Sequence, residues 1–413
     1  MRRQPLKIAV LGSTYARSEG DAQVPWLRES VNRLAALGHH VTVIAPSFEG
    51  LRDHFIDDVE VLRFRYAPRR WEHLTHDEGA PNKLRNPLYQ LLAVPYIALG
   101  AIAATRWARQ RQFDVIHVHW PFPHGLMALP AARACGAKVV ATCPGAELAM
   151  GRRKPWVRQI LRQCLLKSDV LSCNSSHTQT EIERVCGRRA TVIPYGATSH
   201  SAAPEPQPPG DTATILFTGR HIQRKGVPYL LRALPAILRH RKVRLVITGD
   251  GDRRQEWEAL SRELNLGDAV QFTGIVSNEE LGRLYRACDV YVLPAIFDDR
   301  GDTEGLGVVL IEALQAARPV VASAVGGIVD VIQHEKTGLL VPEKNPQALA
   351  DAVLRLLGDP ALARRLGETG CEEAQWQFDW DRITAETEQL YTRALGTAAE
   401  PRRFPSALTP SVA

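Results

Sequence analysis

Short apolar runs alternate with helix-length segments along nearly the whole chain. In the first half the runs are KIAVLG (7–12), HVTVIAP (40–46), VEVLRFRY (59–66), FDVIHVHW (113–120), KVVATC (138–143), DVLSCNS (169–175) and ATVIPYG (190–196). The first helix is expected from Val24 to Leu37. Runs of this length, rich in Val and Ile and separated by helices, predict strands buried on both faces of a parallel sheet. The pattern then breaks at ATSHSAAPEPQPPGDT, which carries four prolines and little apolar content, and reads as a linker. It restarts with TILFTGR (214–220), VRLVITGDG (243–251), AVQFTGIV (269–276), DVYVLPA (289–295), PVVAS (319–323) and GLLVP (338–342), and ends in helices to about Leu395. The expected fold class is α/β, with two doubly wound, Rossmann-like parallel-sheet domains. Two stretches depart from the alternation. Residues 71–85 are polar and rich in Pro, Gly and His, and are expected to form a loop. Leu88 to Ala104 is apolar but interrupted by Gln90 and Pro95. It is short for a spanning helix and reads as a buried or membrane-surface helix.

The most informative segment is Pro294 to Gly327, PAIFDDRGDTEGLGVVLIEALQAARPVVASAVGG. An apolar strand drops into an acidic, glycine-bearing loop, rises into a helix, and returns through a second strand to Gly326 and Gly327. In a parallel sheet such a loop lies at the carboxyl end of a strand, where ligands bind. Gly305 and Gly307 leave backbone N–H groups open at a helix start, which suits phosphate or sugar oxygens. Glu304 and Glu312 have seven residues between them. Read as eight helical residues, they are roughly 12 Å apart along the axis. Carboxylates at that separation can accept from hydroxyls at two ends of one elongated ligand. Hydroxyls at both ends with phosphate between describe a nucleotide-sugar.

Composition narrows the picture little. The chain has 413 residues, 45% hydrophobic and 23% charged, as in ordinary globular proteins. A net charge of +6 fits an anionic ligand or an anionic membrane surface. No Lys/Arg run interleaved with aromatics points to nucleic acid. Seven scattered cysteines without a CxxC indicate a reducing compartment and no zinc site. The apolar run in MRRQPLKIAVLGS is too short for a signal-peptide core and reads as a first strand.

An E-x7-E spacing after an apolar strand, followed by PVVAS and a Gly-Gly turn, resembles family-4 retaining glycosyltransferases of the GT-B fold. The resemblance covers nearly all of the chain. It implies an N-terminal acceptor domain (1–197), a linker (198–212), a nucleotide-sugar donor domain (213–377), a C-terminal helix crossing back to the first domain (378–396) and a tail (397–413), with the two domains facing a central cleft. TGRHIQRKG (218–226) resembles the family's diphosphate-binding loop, so Gly219, Arg220 and Lys225 are carried over to that role. TGDGD (248–252), with Gly249 and Gly251, resembles the GxG turn beside the nucleotide. QFTGIVSNEEL resembles the stretch whose backbone reads the base, with Val276 as the contact. His119, the second histidine of HVHW, resembles the active-site histidine facing the donor sugar. By the same resemblance Glu304 holds donor-sugar hydroxyls, Glu312 the ribose, and Gly305, Leu306, Gly307 and Val308 the phosphates and sugar.

Two departures stand out. GSTYARSEGDAQVPW (12–26) resembles the glycine-rich loop near phosphates and acceptor, and places Gly20 and Asp21 on the acceptor side, but Val24 stands where a second glycine is frequent. TCPGAEL (142–148) has Pro144 and Glu147 where relatives often have His and Asp. The implied activity is transfer of a sugar from a UDP- or GDP-linked donor to an acceptor hydroxyl, with retention at the anomeric carbon. No cofactor or metal is called for, because Arg and Lys supply the positive charge. The implied acceptor is a glycan or lipid-linked glycan of cell-surface polysaccharide or glycolipid synthesis. The expected location is cytoplasmic, with docking on the inner face of the membrane left open. For that docking, Arg63, Arg65, Arg69, Arg70, Arg152, Arg153, Lys154 and Arg158 are candidates for a basic face. Two alternatives stay open: a GT-B sugar-nucleotide epimerase, and a non-catalytic scaffold in polysaccharide assembly. A dinucleotide-dependent oxidoreductase is disfavoured, since GSTYARSEG does not supply GxGxxG.

Overall fold

The computed structural model describes residues 4–21, 23–76, 83, 86–197 and 211–396, without the side chains of 87 and 88. Within them the chain forms two sheets. The first contains β1 (Lys7–Leu11), β2 (His40–Pro46), β3 (His54–Ile56), β4 (Val59–Phe64), β5 (Val115–His119), β6 (Lys138–Cys143), β7 (Val170–Cys173) and β8 (Thr191–Val192), in the order β3-β4-β2-β1-β5-β6-β7-β8. The second contains β9 (Ala213–Thr218), β10 (Val243–Thr248), β11 (Val270–Gly274), β12 (Val290–Leu293), β13 (Val320–Ser323) and β14 (Leu339–Val341), in the order β11-β10-β9-β12-β13-β14. Every pairing is parallel except that of β3 with β4. The short β3 had no sequence signal: HFI is only three residues long and only Ile56 is buried.

In the first domain the helices are α1 (Pro25–Ala36), α2 (Pro87–Arg111), α3 (Pro121–Cys135), α4 (Ala146–Arg153), α5 (Pro155–Lys167) and α6 (Ser176–Cys186). The second has α7 (Val227–Leu238), α8 (Arg254–Glu263), α9 (Asn278–Ala287), α10 (Val308–Gln315), α11 (Ile328–Val331), α12 (Pro346–Gly358) and α13 (Pro360–Gln377), and the chain ends in α14 (Trp380–Leu395). The strands are buried because helices cover both faces. In the first domain one apolar cluster joins Ile116, Val118 and Val139 to α2, α3 and α5, and a second joins Ile8, Val10 and Val43 to α1 and α14.

Helix α14 therefore lies on the first domain although it follows the second. Ile383, Leu390, Tyr391 and Ala394 enter the first domain's core, and the Tyr391 hydroxyl meets His117 Nδ1 at 2.8 Å. Gly196 makes room for Trp380: a Cβ there would lie 2.4 Å from the indole. Most of the linker (198–210) and the tail (397–413) lie outside the described residues. So do 77–82, 84 and 85 in the expected 71–85 loop.

Helix α2 runs on past Ala104 to Arg111, with Pro95 inside it. It therefore reaches the length and composition of a membrane crossing, and only 28% of its apolar window is buried. One face packs on α3, while Leu91, Val94, Leu99 and Ile102 are exposed.

Candidate active site

The carboxyl ends of the two sheets face each other. The loop after β12 reaches the ends of β6 and β7: a Cβ on Gly305 would sit 3.2 Å from the Pro144 carbonyl and 3.3 Å from Asn174 Nδ2. Arg152 donates to the Gly301 carbonyl at 2.5 Å, and Ser176, just past β7, donates to Asp330 beyond β13. The strand ends of the two domains thus meet across one cleft.

On the second domain, Glu304 is buried and anchors a triad. Lys225 Nζ lies 2.7 Å and Arg224 Nη1 2.8 Å from the same oxygen, Oε2. Burial alone would raise the Glu304 carboxyl, but the two cations outweigh it and hold it at about 2. Lys225 is pushed below its ordinary value by burial, against the pull of Glu304. Arg220 is exposed and has no ion pair among the described residues. Sequence reasoning chose Arg220 and Lys225 and passed over Arg224, whose adjacency to Lys225 was the available signal.

Glu312 accepts from the Tyr285 hydroxyl at 2.7 Å, within a buried group that includes Thr218 and Tyr291. Burial pushes its carboxyl up to about 7, in spite of the Tyr285 hydrogen bond and the Lys225 charge. The two glutamates therefore differ: Glu304 is firmly ionised, and Glu312 is poised near neutrality.

The expected helical rise from Glu304 to Glu312 needs correction. Helix α10 starts only at Val308, because Gly307 turns left-handed at φ +89°. Glu304, Gly305 and Leu306 precede it in a loop, with Leu306 buried. The Gly-Gly turn holds that loop. Gly327 N donates to the Glu304 carbonyl at 2.9 Å, and a Cβ on Gly326 or Gly327 would fall 2.2 Å from Glu304 O or 2.1 Å from Gly305 O. Only glycine permits this backbone approach.

The GxG turn is packed in a similar way. A Cβ on Gly249 would strike Gly219 O at 2.1 Å, and one on Gly251 His221 O at 2.5 Å. These glycines let the neighbouring turn's backbone come close. A Cβ on Gly219 would meet Lys225 Cε at 3.4 Å, so this turn packs on the lysine stem. Val276 is half-buried just beyond β11, beside exposed Ile275.

On the first domain, His117 and His119 lie on one face of β5 but differ in role. His117 is tied at both nitrogens, to Tyr391 and to Thr142 Oγ1 at 2.6 Å. His119 leaves Nδ1 unpartnered, and its ring lies 5.5 Å from Trp26, which stacks on Tyr195 at 4.1 Å. Burial, with His117 and His124 nearby, pushes His119 well below the ordinary imidazole range, so it is neutral. The Trp26–Tyr195 wall has no local sequence signal, since its members are far apart in the chain. Val24 takes the left-handed conformation at φ 43° that a glycine would adopt freely. Gly20 is exposed, and Asp21 pairs with Arg17 at 2.6 Å.

Pro144 offers no side-chain donor, but its carbonyl accepts from Asn174. Glu147 is 1% exposed, and burial pushes it up to about 7. Arg63, a candidate for the basic face, is 4% exposed instead: it donates to the carbonyls of Pro46, Tyr15 and Ala16.

Two parallel-sheet α/β domains whose strand ends oppose each other, with a Glu–Arg–Lys triad on one rim and a neutral histidine on the other, define a glycosyltransferase of the GT-B fold. Residues 26–199 match the model for Glycosyltransferase Family 4 and residues 201–373 that for Glycosyl transferases group 1, and the chain belongs to this family. It is 30% identical over 375 residues (87% of this chain, 91% of the relative) to a GDP-mannose-dependent alpha-(1-6)-phosphatidylinositol monomannoside mannosyltransferase of Mycobacterium tuberculosis. An uncharacterized glycosyltransferase of Methanocaldococcus jannaschii is 37% identical over 185 residues, 45% of this chain and 46% of that relative's length. Among solved structures, the sucrose-phosphate synthase of Thermosynechococcus elongatus superposes with a TM-score of 0.75, 25% identity, and coverage of 94% of this chain and 99% of that one. The Anabaena protein HepE, solved with UDP and glucose, gives 0.70 at 17% identity, covering 93% and 98%.

Proposed function

We propose that the enzyme transfers a sugar from a UDP- or GDP-linked donor to an acceptor hydroxyl with retention at the anomeric carbon. The observation that carries the reading is the buried Glu304 carboxylate fixed by Arg224 and Lys225, with Glu312 beyond it on α10. Glu304 accepts from hydroxyls of the donor sugar and Glu312 from those of the ribose. Arg220, exposed and without an ion pair among the described residues, is placed to take an arriving diphosphate. As the glycosidic bond breaks, positive charge grows on the sugar and negative charge on the departing phosphate. Arg220, Lys225 and the open N–H groups at the start of α10 oppose the second charge; aimed donors of this kind contribute about 3 kcal/mol each. They fill the role a metal ion would serve. The leaving phosphate takes the acceptor's proton on the same face of the sugar, which preserves configuration. His119, neutral and with Nδ1 free of protein partners, lines the donor-sugar side as a polar contact.

GDP-mannose is the first donor to try, since the relative aligned over most of the chain depends on it. The acceptor belongs to cell-surface glycolipid or polysaccharide synthesis. The exposed apolar face of α2, with Trp156 and Lys154 at the start of α5, supports docking on the cytoplasmic face of a membrane. Donor turnover with anomeric analysis of the product by NMR tests the proposal. An α-linked product from an α-linked donor is expected. An inverted product, or epimerised donor without transfer, would overturn it.

A further inference from the structure

The first domain holds a cavity of about 880 Å³, lined by Arg17, Asp21, Phe48, Arg52, Arg65 and Arg69 among others. The geometry points to a site for a phosphate group carried by the acceptor, which deepens the proposed transfer reaction and rests on it.

The cavity opens at the carboxyl ends of β1, β2 and β4. These strands are parallel to β5, so it faces the same side as His119. β4 lies three strands from β5, and at about 4.8 Å per strand the cavity centres ~10–15 Å from the histidine. A phosphate held there is separated from the accepting hydroxyl by one or two ring units.

Four arginines and two carboxylates line the cavity. Asp21 is already taken by Arg17, whose guanidinium also lies 4.7 Å from the Phe48 ring centre. Glu49 is exposed, and its carbonyl accepts from Arg69 Nε at 3.0 Å. Arg69 is laid across Gly50, where a Cβ would meet its Nε at 2.4 Å. Arg65 donates Nε to Glu72 at 2.6 Å, and that buried carboxylate also accepts from Ser47 and Gly50. The side chain of Arg65 remains 51% exposed. Arg52 is exposed and has no carboxylate partner among the described residues. Beneath them Arg63 ties the loops after β1 and β2 together through carbonyls alone, and its Nε has no partner. A rim with four guanidinium groups against two carboxylates, in which Arg52 and Arg69 have no carboxylate partner among the described residues, favours a dianion. Guanidinium forks match phosphate oxygens.

The test uses the full chain and an Arg52→Ala/Arg69→Ala variant; both residues are exposed, so the fold is expected to survive. Binding is measured by calorimetry for inorganic phosphate and inositol phosphate, and by sedimentation with phosphatidylcholine vesicles with and without phosphatidylinositol. At least one phosphate probe should bind, weakened about tenfold or more in the variant, while GDP and UDP bind both proteins equally. Binding of the soluble ester alone identifies a free phosphate ester as the source, and binding of the doped vesicles alone a lipid headgroup. Absence of binding to every phosphate probe, or equal binding by variant and wild type, overturns the site. Loss of nucleotide binding by the wild type would instead count against the transfer reading.

Discussion

Gly327→Ala probes the contact on which the donor loop depends. The residue has φ −81°, so alanine brings no backbone strain, unlike at Gly326, where φ is +55°. The only consequence is steric. The new Cβ would sit 2.1 Å from Gly305 O and 2.9 Å from Leu306 Cα. It falls short of ordinary contact by about 1 Å, so the 304–306 backbone must retreat by that much. Displacement of this size in a positioned group costs on the order of 100-fold in turnover. Overpacking costs the fold about 1–3 kcal/mol. Gly358→Ala is the control: it ends α12, and a Cβ there meets nothing within 4 Å. Donor turnover and thermal unfolding would be measured for both variants. The first should lose turnover about 100-fold while staying folded, and the second should match wild type. Unchanged turnover in Gly327→Ala would refute the claim that this turn sets the position of Glu304.

Other predictions follow from the same geometry. The raised Glu312 carboxyl favours its neutral form in the fold, so its contribution to stability is full below the ordinary carboxylate range and is lost as pH rises through about 7. Unfolding temperature of the free enzyme should therefore fall across that window. Glu312→Gln should remove part of the slope and leave the part due to Glu147, which is also raised to about 7. If donor hydroxyls need the Glu312 carboxylate, kcat/KM should rise through the same pH range, and Glu312→Gln should lose that limb. Glu304→Ala strips the buried Lys225 of its carboxylate and leaves Arg224 only Asp302 at 3.8 Å, and should cost the fold on the order of 3 kcal/mol, read by denaturant unfolding. Tyr391→Phe removes the hydrogen bond to His117 and should cost about 1 kcal/mol with turnover retained, as expected if His117 is a structural clasp.

Much of the fold was legible because period and composition agree in parallel sheets. The runs at 40–46 and 138–143 coincide with β2 and β6, since both are closed by polar or glycine-bearing turns. β3 was missed because an edge hairpin of three residues buries only Ile56. The Glu304–Glu312 pair was visible as spacing, but the start of α10 was not, because it depends on the left-handed Gly307. The packing around Gly249, Gly251, Gly326 and Gly327 was also hidden. Sequence shows that a glycine is needed, and only tertiary packing shows which backbone approaches it. Arg63 looked like surface charge, yet its place inside β4 puts it under the β1 loop. The Trp26–Tyr195 stack joins positions 169 residues apart and leaves no local trace.

The central claim is that Arg220 and Lys225 receive the donor's diphosphate between two acidic residues. Calorimetric titration of GDP and UDP into wild type and an Arg220→Ala/Lys225→Ala variant tests it most directly. One nucleotide should bind the wild type at a single site, and the variant at least about tenfold more weakly. Equal affinity in both proteins, or no binding of either nucleotide to the wild type, would contradict the account.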